Sequence, residues 1–399
     1  MPQTVLINAG PWVAVPPPGY GGIENVLATL IPELRARGVR VWLCGVGASA
    51  IEVDRLIPSF PHGMLAHITG PYNQMMGIAH AHMRAVASAL DQARGEVDVV
   101  HDNLEVVGAS MLAAMGRRAP PVLQTLHWDL GKHPDFYAGF DGGGRVFFNG
   151  VSESQVLTAP ANLRRQIVAA IPLATHVDAT PFEPVKGDTF LVLARFATFK
   201  GQDVAARICR EHGWRCDLAG PVAGIPHAEA LERALAEAPP ARSPDLDYFL
   251  GRVRPQLGGR SVRWIGSITG AEKLARLGRA RALLCPISWE EPGATNVVEA
   301  LACGTPVIGM RRGALPSLVE HGVTGFLAGD ERELAGYMAR AGEIDPEACR
   351  RAAEERFTAD RMADAYLDAY ADVVRRARRR VTAVTPRIVT AAERPTEPA

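Results

Sequence analysis

The segment Ala282-Leu-Leu-Cys-Pro-Ile-Ser-Trp-Glu-Glu-Pro-Gly-Ala-Thr-Asn-Val-Val-Glu-Ala-Leu-Ala-Cys-Gly-Thr-Pro-Val-Ile-Gly309 decides the fold of this chain. It begins with a short apolar run, residues 282–285, which is followed by a polar turn containing proline and glycine. A second apolar run with helical spacing opens at Thr295 or Asn296, ends at a glycine and gives way to a third run at residues 306–309. This order predicts a strand, a loop, a helix and a strand, which together form one βαβ unit.

Two glutamates of this segment are predicted to overlook one cleft. Glu291 lies in the loop, and Glu299 follows inside the helix after a spacing that returns to nearly the same helix face. Loops that follow the strands of a parallel sheet lie at its carboxyl edge, where ligands bind. The backbone N–H groups of Gly293, Ala294 and Thr295 are candidates for the unsatisfied donors of a helix start, which favour anions such as phosphate. The pattern therefore indicates a ligand that carries both hydroxyl groups and phosphate.

The order of motifs around these glutamates resembles a known family. The run from Glu291-Pro292 to Glu299-Ala-Leu-Ala-Cys-Gly-Thr-Pro-Val307 precedes Arg312-Gly313 and Glu320-His-Gly-Val-Thr-Gly-Phe-Leu327. It is similar to the nucleotide-sugar signature of the retaining glycosyltransferases of family 4. The resemblance implies the α/β GT-B fold, in which two Rossmann-like doubly wound parallel-sheet domains face a central cleft. Two glutamates alone would indicate a solvated helix face, but the ordered flanks favour a binding site.

Composition and charge exclude several functional classes. The chain has 399 residues, 47% of them hydrophobic, and is long enough for two domains with a core each. Its 43 basic and 43 acidic residues balance, so we expect no nucleic-acid partner. The sequence shows neither a signal-peptide pattern nor an apolar run long enough for a transmembrane segment, which predicts a cytoplasmic protein. The six cysteines lack the spacing of a zinc site and are expected to be buried free thiols.

A glycine-rich segment follows the first predicted strand, residues 5–8. Gly19-Tyr20-Gly21-Gly22-Ile23-Glu24 opens a helix predicted over residues 23–37, and its glycines allow close approach of the backbone to a ligand. The segment resembles the GG-x-E segment of the family. The resemblance implies that Gly21 and Gly22 face the donor phosphate and that Glu24 lies on the acceptor side. A plain turn is the alternative.

Two polar clusters follow predicted strands of the first domain, at residues 101–103 and 127–129. Both fall at strand carboxyl ends, where ligands bind. The candidates for acceptor binding are His101, Asp102, Trp128 and Asp129. Thr125-Leu-His127 resembles the family segment whose histidine reaches the transferred sugar, so His127 is predicted to stabilise developing charge. A histidine at a strand end can instead be structural.

A cationic pair opens the second predicted domain. Arg195 and Lys200 follow a strand at residues 189–194 and precede a glycine-opened helix, so both can converge on a diphosphate. The family has this pair, usually with glycine where this chain has Ala194; a surface pair is the alternative. Arg263-Trp-Ile-Gly266 resembles the family strand beside the nucleotide base, which implies a donor contact at Gly266. The Asp-x-Asp pattern at residues 245–247 is better explained as helix capping than as a metal site.

The resemblance also implies a domain plan and a division of labour. The plan comprises an acceptor domain (1–177), a nucleotide-sugar domain (178–357), a helix crossing back to the first domain (358–380) and a disordered tail (381–399). The predicted donor-binding residues are Gly21, Gly22, Arg195, Lys200, Gly266, Gly293, Ala294, Thr295, Asn296 and Glu299. Arg195, Lys200 and the helix start would stabilise the departing diphosphate without a metal or cofactor. Glu299 would hold the ribose and Glu291 the sugar of a donor, most simply a UDP- or GDP-sugar.

Rival functions use similar parts. A GT-B chain can hydrolyse or epimerise a nucleotide sugar, phosphorolyse a glycan, or bind a nucleotide sugar without catalysis. The set Arg195, Lys200, Glu291 and Glu299 argues against a non-catalytic binding module. The apparent lack of a long basic amphipathic helix near the N-terminus favours a small soluble acceptor over a membrane one, and we expect a small molecule or a glycan in a natural-product or cell-envelope pathway.

Overall fold

The strands of the protein form two sheets in which every strand runs parallel to its neighbours. The computed structural model describes residues 2–19, 21–68, 72–237, 243–258 and 261–382. The predicted tail at residues 381–399 falls outside this range except for its first two residues, which belong to the last helix.

The first sheet has seven strands in the order β3-β2-β1-β4-β5-β6-β7. These strands are β1 (Thr4–Asn8), β2 (Arg40–Val46), β3 (Arg55–Phe60), β4 (Val99–Asp102), β5 (Val122–Leu126), β6 (Val146–Gly150) and β7 (Ile167–Ala170). All five residues of β1 are buried because helices cover both faces of the sheet. The winding reverses between β1 and β4, and the crevice at such a reversal is where ligands bind.

The second sheet repeats this winding with six strands in the order β10-β9-β8-β11-β12-β13. These strands are β8 (Thr189–Leu193), β9 (Arg215–Ala219), β10 (Val262–Gly266), β11 (Leu283–Cys285), β12 (Val307–Met310) and β13 (Gly325–Ala328). The predicted βαβ unit is present, since β11 and β12 pair in parallel with Leu283 opposite Val307. Two doubly wound parallel sheets confirm the predicted fold class.

Helices connect the strands and cover both sheets. The first six are α1 (Gly22–Ala36), α2 (Tyr72–Ala93), α3 (Glu105–Met115), α4 (Pro134–Gly139), α5 (Glu153–Thr158) and α6 (Ala161–Arg164). The others are α7 (Gln202–Glu211), α8 (Ala228–Glu237), α9 (Pro244–Tyr248), α10 (Gly270–Arg279), α11 (Thr295–Ala302), α12 (Leu315–Leu318), α13 (Glu331–Ala339), α14 (Pro346–Arg356) and α15 (Ala359–Thr382). Within the described ranges, none of them is both long and apolar enough to cross a bilayer.

The last helix is part of the core of the first domain. The chain crosses between the domains twice at one place, where the Thr175 amide donates to the Phe357 carbonyl at 3.1 Å. Helix α15 then packs against α1. Its residues Ala363, Tyr366 and Tyr370 are fully buried among the apolar residues of α1 and the first sheet. Burial of this face fixes the C-terminal helix on the N-terminal domain.

Two tyrosines of α15 complete a buried hydrogen-bond network. Thr125 Oγ1 donates to Asn149 Oδ1 at 2.9 Å and therefore accepts from Nε2 of His101 at 2.8 Å. His101 Nδ1 is then the acceptor for the Tyr370 hydroxyl at 2.8 Å, and the Tyr366 hydroxyl contacts Thr125 Oγ1 at 3.0 Å. Burial lowers the pKa of His101 to about 3, so this imidazole is neutral at pH 7.

Removing one of these hydroxyls tests how α15 is held. Tyr370→Phe should destabilise the protein by about 1–3 kcal/mol, because it leaves Nδ1 of the buried His101 without a donor. Tyr366→Phe is the matched control, since Thr125 Oγ1 still accepts from His101. The urea midpoint of each variant measures the loss, and an equal or smaller loss in Tyr370→Phe would contradict the assigned tautomer.

Candidate active site

The loop after β11 meets the carboxyl edge of the first sheet. A Cβ atom added at Gly293 would lie 2.9 Å from Leu173 Cδ1 and 2.9 Å from Val151 Cγ2. Val151 directly follows β6 of the first sheet, whereas Gly293 lies between β11 and α11 of the second. The carboxyl edges of the two sheets therefore face each other, and the predicted donor loop lies between them.

A methyl group at this contact should separate the two domains. Gly293→Ala is expected to lower kcat by roughly tenfold, because small displacements of reacting groups are costly. Gly336→Ala, where a Cβ meets no atom within 4 Å, is the matched control in α13. The steady-state kcat of both variants measures the effect. A wild-type kcat in Gly293→Ala would show that the contact has no part in closing the cleft.

Lys200 and Glu291 form an ion pair between the loops that follow β8 and β11. Gly201 has φ 71°, and a Cβ there would lie 2.0 Å from the Pro286 carbonyl oxygen, so only glycine allows the loops after β8 and β11 to pack this closely. Lys200 Nζ donates to Glu291 Oε2, which also accepts from Trp289 Nε1 at 3.0 Å. Lys200 Nζ lies 4.8 Å from the centre of the Trp289 ring. The side chains of Lys200 and Glu291 are only 18% and 11% exposed.

The start of α11 lies beside this pair. The first internal hydrogen bonds of α11 come from the Val297 and Val298 amides to the Ala294 carbonyl, so the N–H groups of Gly293, Ala294 and Thr295 have no partner within the helix. A cavity of about 20 Å³ separates Lys200 and Glu291 from Ala294 and Asn296. It has room for about one water molecule. The space is too small for a diphosphate while the Glu291 carboxylate lies against Lys200.

The two other charged residues predicted for the donor also have counter-ions. Arg195 donates to Asp245 Oδ2 of α9 at 2.6 Å, and its guanidinium carbon lies 5.1 Å from the centre of the Phe199 ring. Glu299 accepts from Lys273 Nζ of α10 at 2.5 Å. Neither Asp245 nor Lys273 was among the predicted site residues. Their signals were an acid at a helix start and a lysine one turn into the helix after β10.

Asn296 and Gly266, both predicted donor contacts, differ in what they offer. Asn296 Nδ2 donates to the Leu193 carbonyl at 3.0 Å, which ties the start of α11 to the end of β8. Gly266 ends β10 with φ 79°, and a Cβ there would lie 2.9 Å from the Pro226 carbonyl oxygen. Asn296 thus positions the helix through its side chain, and Gly266 offers only backbone to a ligand.

His127 lies at the end of β5 and is half-buried. Its Nε2 donates to Asn103 Oδ1 at 2.8 Å, while Asn103 Nδ2 donates to the Asn8 carbonyl at 3.2 Å. Burial lowers the pKa of His127 to about 3, so the ring is neutral at pH 7. In this tautomer Nδ1 is an acceptor suited to a sugar hydroxyl. Asn103 orients the ring and was not among the predicted site residues.

His101 and Asp102 are not in the cleft, contrary to the expectation that both lie on the acceptor side. Both side chains are 0% exposed. His101 is covered by Tyr370, and Asp102 accepts from Asn8 Nδ2 at 2.6 Å and from Gln124 Nε2. Burial raises the pKa of Asp102 to about 7. These groups hold β1, β4 and β5 together and are structural.

The other predicted acceptor residues, Trp128, Asp129 and Glu24, make hydrogen bonds within the protein or are buried. Trp128 Nε1 donates to the Tyr137 hydroxyl at 2.7 Å, and Asp129 Oδ1 accepts from the Gly131 amide at 2.8 Å. Glu24 is 6% exposed, and burial raises the pKa of its carboxyl to about 7. Its Oε2 would lie 2.9 Å from a Cβ added at Gly21. Gly22, in contrast, faces open space at the start of α1.

The described residues contain no group of three or more histidine, cysteine, aspartate or glutamate side chains arranged to hold a metal ion. All six cysteines are buried and unpaired, as expected. The charged groups in this region are instead ion pairs. Arg195 and Lys200, from the loop after β8, pair with Asp245 and Glu291. This arrangement suits an anion that carries hydroxyl groups.

Comparison with known proteins places both domains in one family. Residues 20–164 match the model of Glycosyltransferase Family 4, and residues 178–356 match that of Glycosyl transferases group 1. The D-inositol 3-phosphate glycosyltransferase of Nocardioides sp. is 26% identical over 82% of this chain and 78% of its own length.

Solved structures show the same architecture. AviGT4, a glycosyltransferase involved in avilamycin A biosynthesis, is 25% identical with a TM-score of 0.63, covering 94% of this chain and 98% of its own. Anabaena HepE in complex with UDP and glucose is 17% identical with a TM-score of 0.64, covering 93% of this chain and 100% of its own. The chain belongs to the group 1 glycosyltransferases of family 4 and has the GT-B fold.

Proposed function

We propose that the protein transfers a sugar from a nucleoside diphosphate sugar to an acceptor hydroxyl, with retention at the anomeric carbon and without a metal. The observation that supports this most strongly is the position of Lys200, which lies against Glu291 and beside the start of α11. Lys200 and the N–H groups of residues 293–295 would stabilise the charge of the departing diphosphate, and Arg195, from the same loop as Lys200, would join them. Stabilisation of that charge in the transition state makes the main contribution to the rate enhancement.

The donor is a UDP- or GDP-sugar. Glu299, which lies inside α11 and pairs with Lys273, would accept hydrogen bonds from ribose hydroxyls once Lys273 turns toward phosphate. HepE, which shares the fold, is known in complex with UDP and glucose. The family commonly has an aromatic ring where this chain has Gly293, and here Leu173 and Val151 pack against that position, so the sugar pocket differs from the usual one.

Retention follows from a reaction on one face of the sugar. The bond from the anomeric carbon to the diphosphate oxygen breaks, the acceptor oxygen bonds to the same face, and its proton passes to the departing diphosphate. Glu291 is paired with Lys200 and Trp289 and is not poised as a covalent nucleophile. Neutral His127 accepts from a sugar hydroxyl across the cleft, so catalysis requires closure of the two domains.

The acceptor is a small polyhydroxylated molecule or a glycan in a natural-product or cell-envelope pathway of the cytoplasm. The Nocardioides relative is named for transfer to D-inositol 3-phosphate. Trp128 and Asp129, both half-buried beside His127, provide an apolar face and a carboxylate for such a polyol.

A thermal-shift panel of UDP, GDP, ADP and dTDP tests the donor. At a concentration 100-fold above Kd, the matching nucleotide should stabilise the protein by about 2.7 kcal/mol, seen as a higher Tm. The matching donor sugar is then incubated with and without candidate acceptors, in the presence and absence of EDTA. Absence of any shift would contradict nucleotide binding, and equal release of free sugar without acceptor would indicate a hydrolase.

A further inference from the structure

A large cavity lies on the opposite side of the first domain from the cleft. Its volume is about 510 Å³. It is lined by residues that directly precede strands, namely Asp98 before β4, Pro121 before β5 and Arg145 before β6, and by the last turns of α15. Because the strands are parallel, these residues lie at the amino edge of the sheet, whereas the donor site lies at the carboxyl edge. The cavity is therefore separate from the catalytic cleft.

The charge of this cavity is strongly positive. Arg117, Arg118, Arg145 and Arg378 line it together with one carboxylate, Asp98. Asp98 Oδ2 accepts from the Gln3 and Thr4 amides at 2.7 and 3.0 Å and so fixes the start of β1. In the ranges that the structure describes, none of the four arginines pairs with a carboxylate. Most charged side chains near the donor site have counter-ions, but these four guanidinium groups do not.

Arg145 is held in place, but a buried N–H group of its guanidinium has no acceptor in the part of the chain that the structure describes. Its Nη2 donates to the Ala119 carbonyl, and its backbone N–H donates to the Gly142 carbonyl at 2.9 Å. Its Nε is buried and has no acceptor among the described residues. Burial and the nearby positive charge of Arg117 lower the pKa of Arg145. A bound anion would supply the missing acceptor and offset the repulsion between these two arginines.

We propose that this cavity binds a phosphorylated small molecule, with the phosphate against Arg117, Arg118 and Arg145. Guanidinium groups bind phosphate oxygens in pairs of parallel hydrogen bonds, which lysine cannot do. The remaining wall is apolar and includes Leu90, Val97 and Val374, so the ligand carries an apolar or cyclic part. The volume lies within the range of pockets that enclose ligands of this size.

Binding would also join two parts of the chain. Arg378 and Val374 belong to α15, whereas Arg117 and Arg118 form a short 3-10 helix after α3. A phosphate held between Arg378 and the pair Arg117 and Arg118 would connect the C-terminal end of α15 to the first sheet. The domain crossing lies at the other end of α15. The ligand thus adds to the contacts of Tyr366 and Tyr370 that hold α15 on this domain.

Calorimetric titration with inorganic diphosphate, with UDP present to occupy the cleft, tests the proposal on the full chain. A binding site that UDP does not displace is expected. In Arg117→Gln with Arg118→Gln its affinity should fall at least tenfold, and Arg378→Gln, which changes the other wall, should weaken it too. Arg233→Gln with Arg332→Gln removes two exposed arginines of the second domain as the matched control. Tm measurements show that the variants are folded.

A second experiment distinguishes a soluble phosphorylated ligand from a phospholipid headgroup. Cosedimentation with phosphatidylglycerol vesicles, but not with phosphatidylcholine vesicles, would show that the site takes a lipid headgroup, provided that Arg117→Gln with Arg118→Gln abolishes it. Diphosphate binding without cosedimentation would assign a soluble ligand. Failure of diphosphate to bind in the presence of UDP, or unchanged affinity in both sets of cavity variants, would overturn the proposal.

Discussion

Replacing Lys200 with alanine is expected to lower kcat by about 10³-fold, the upper end of the loss seen when one preorganised donor is removed from a site of charge development. Lys200 is the cation closest to Glu291 and to the start of α11. When the diphosphate departs, its negative charge has to be met by groups that are already in place. Arg195 alone cannot replace Lys200, since it lies against Asp245 and Phe199.

The fold should survive this change. Lys200 ends a short 3-10 helix, Thr198–Lys200, and its side chain contacts Glu291 and two aromatic rings rather than the core. Glu291 keeps the hydrogen bond from Trp289 Nε1 in the variant. Tm should nevertheless fall, because the mostly buried Glu291 loses its counter-ion, whereas loss of the cooperative unfolding transition would indicate that Lys200 is needed for folding.

A matched control separates loss of this cation from loss of any surface cation. Arg207→Ala, on the exposed face of α7, removes an arginine paired with Glu211 and Glu331 and should leave turnover unchanged. Rates of nucleotide release are measured for both variants with the donor identified by thermal shift. Near-normal transfer by Lys200→Ala would remove the assignment of Lys200 to the leaving phosphate.

The sequence predicted the parts of the site that lie within one βαβ unit. Glu291 lies in the loop before α11 and Glu299 about one turn inside that helix, where each carboxylate accepts from a different lysine. Lys200 could be added because it follows another strand of the same sheet. Local periodicity and the rule for strand ends thus predict which loops meet, but the distances between their side chains come from packing.

The counter-ions could not be predicted in the same way. Asp245 reaches Arg195 across 50 residues, and Lys273 reaches Glu299 across 26. Which acid pairs with which cation depends on the order β10-β9-β8-β11, which brings α9 and α10 to the same edge. No spacing within the sequence contains that order.

His101 shows the limit of the rule for strand ends. It ends a parallel strand, which favoured a ligand contact, yet Tyr370 approaches from a helix 269 residues later and buries it. The return of α15 to the first domain was implied by the family, but the face it covers depends on side-chain packing. His127 lies four residues beyond Leu123, the partner of His101 in the strand register, and is only half-buried.

Glu291→Gln is expected to lower kcat by about 10²-fold while changing the KM for the donor little. Glutamine keeps an acceptor for Trp289 Nε1, so the loop structure is preserved. What it loses is the negative charge beside the sugar, where positive charge develops as the diphosphate departs. An interaction that strengthens only in the transition state affects kcat rather than KM.

Two neighbouring carboxylates make this prediction specific. In the native protein, the Gly313 amide donates to Glu290 Oε2 at 2.6 Å. Glu290→Gln removes the adjacent charge but keeps an acceptor for this amide, so it should have almost no effect on kcat. Glu299→Gln should mainly raise the KM for the donor, because ribose is held equally in the ground state and the transition state. Steady-state kinetics of the three variants separate the roles. A larger loss of kcat in Glu290→Gln than in Glu291→Gln would move the sugar site by one residue and contradict the geometry that pairs Glu291 with Lys200.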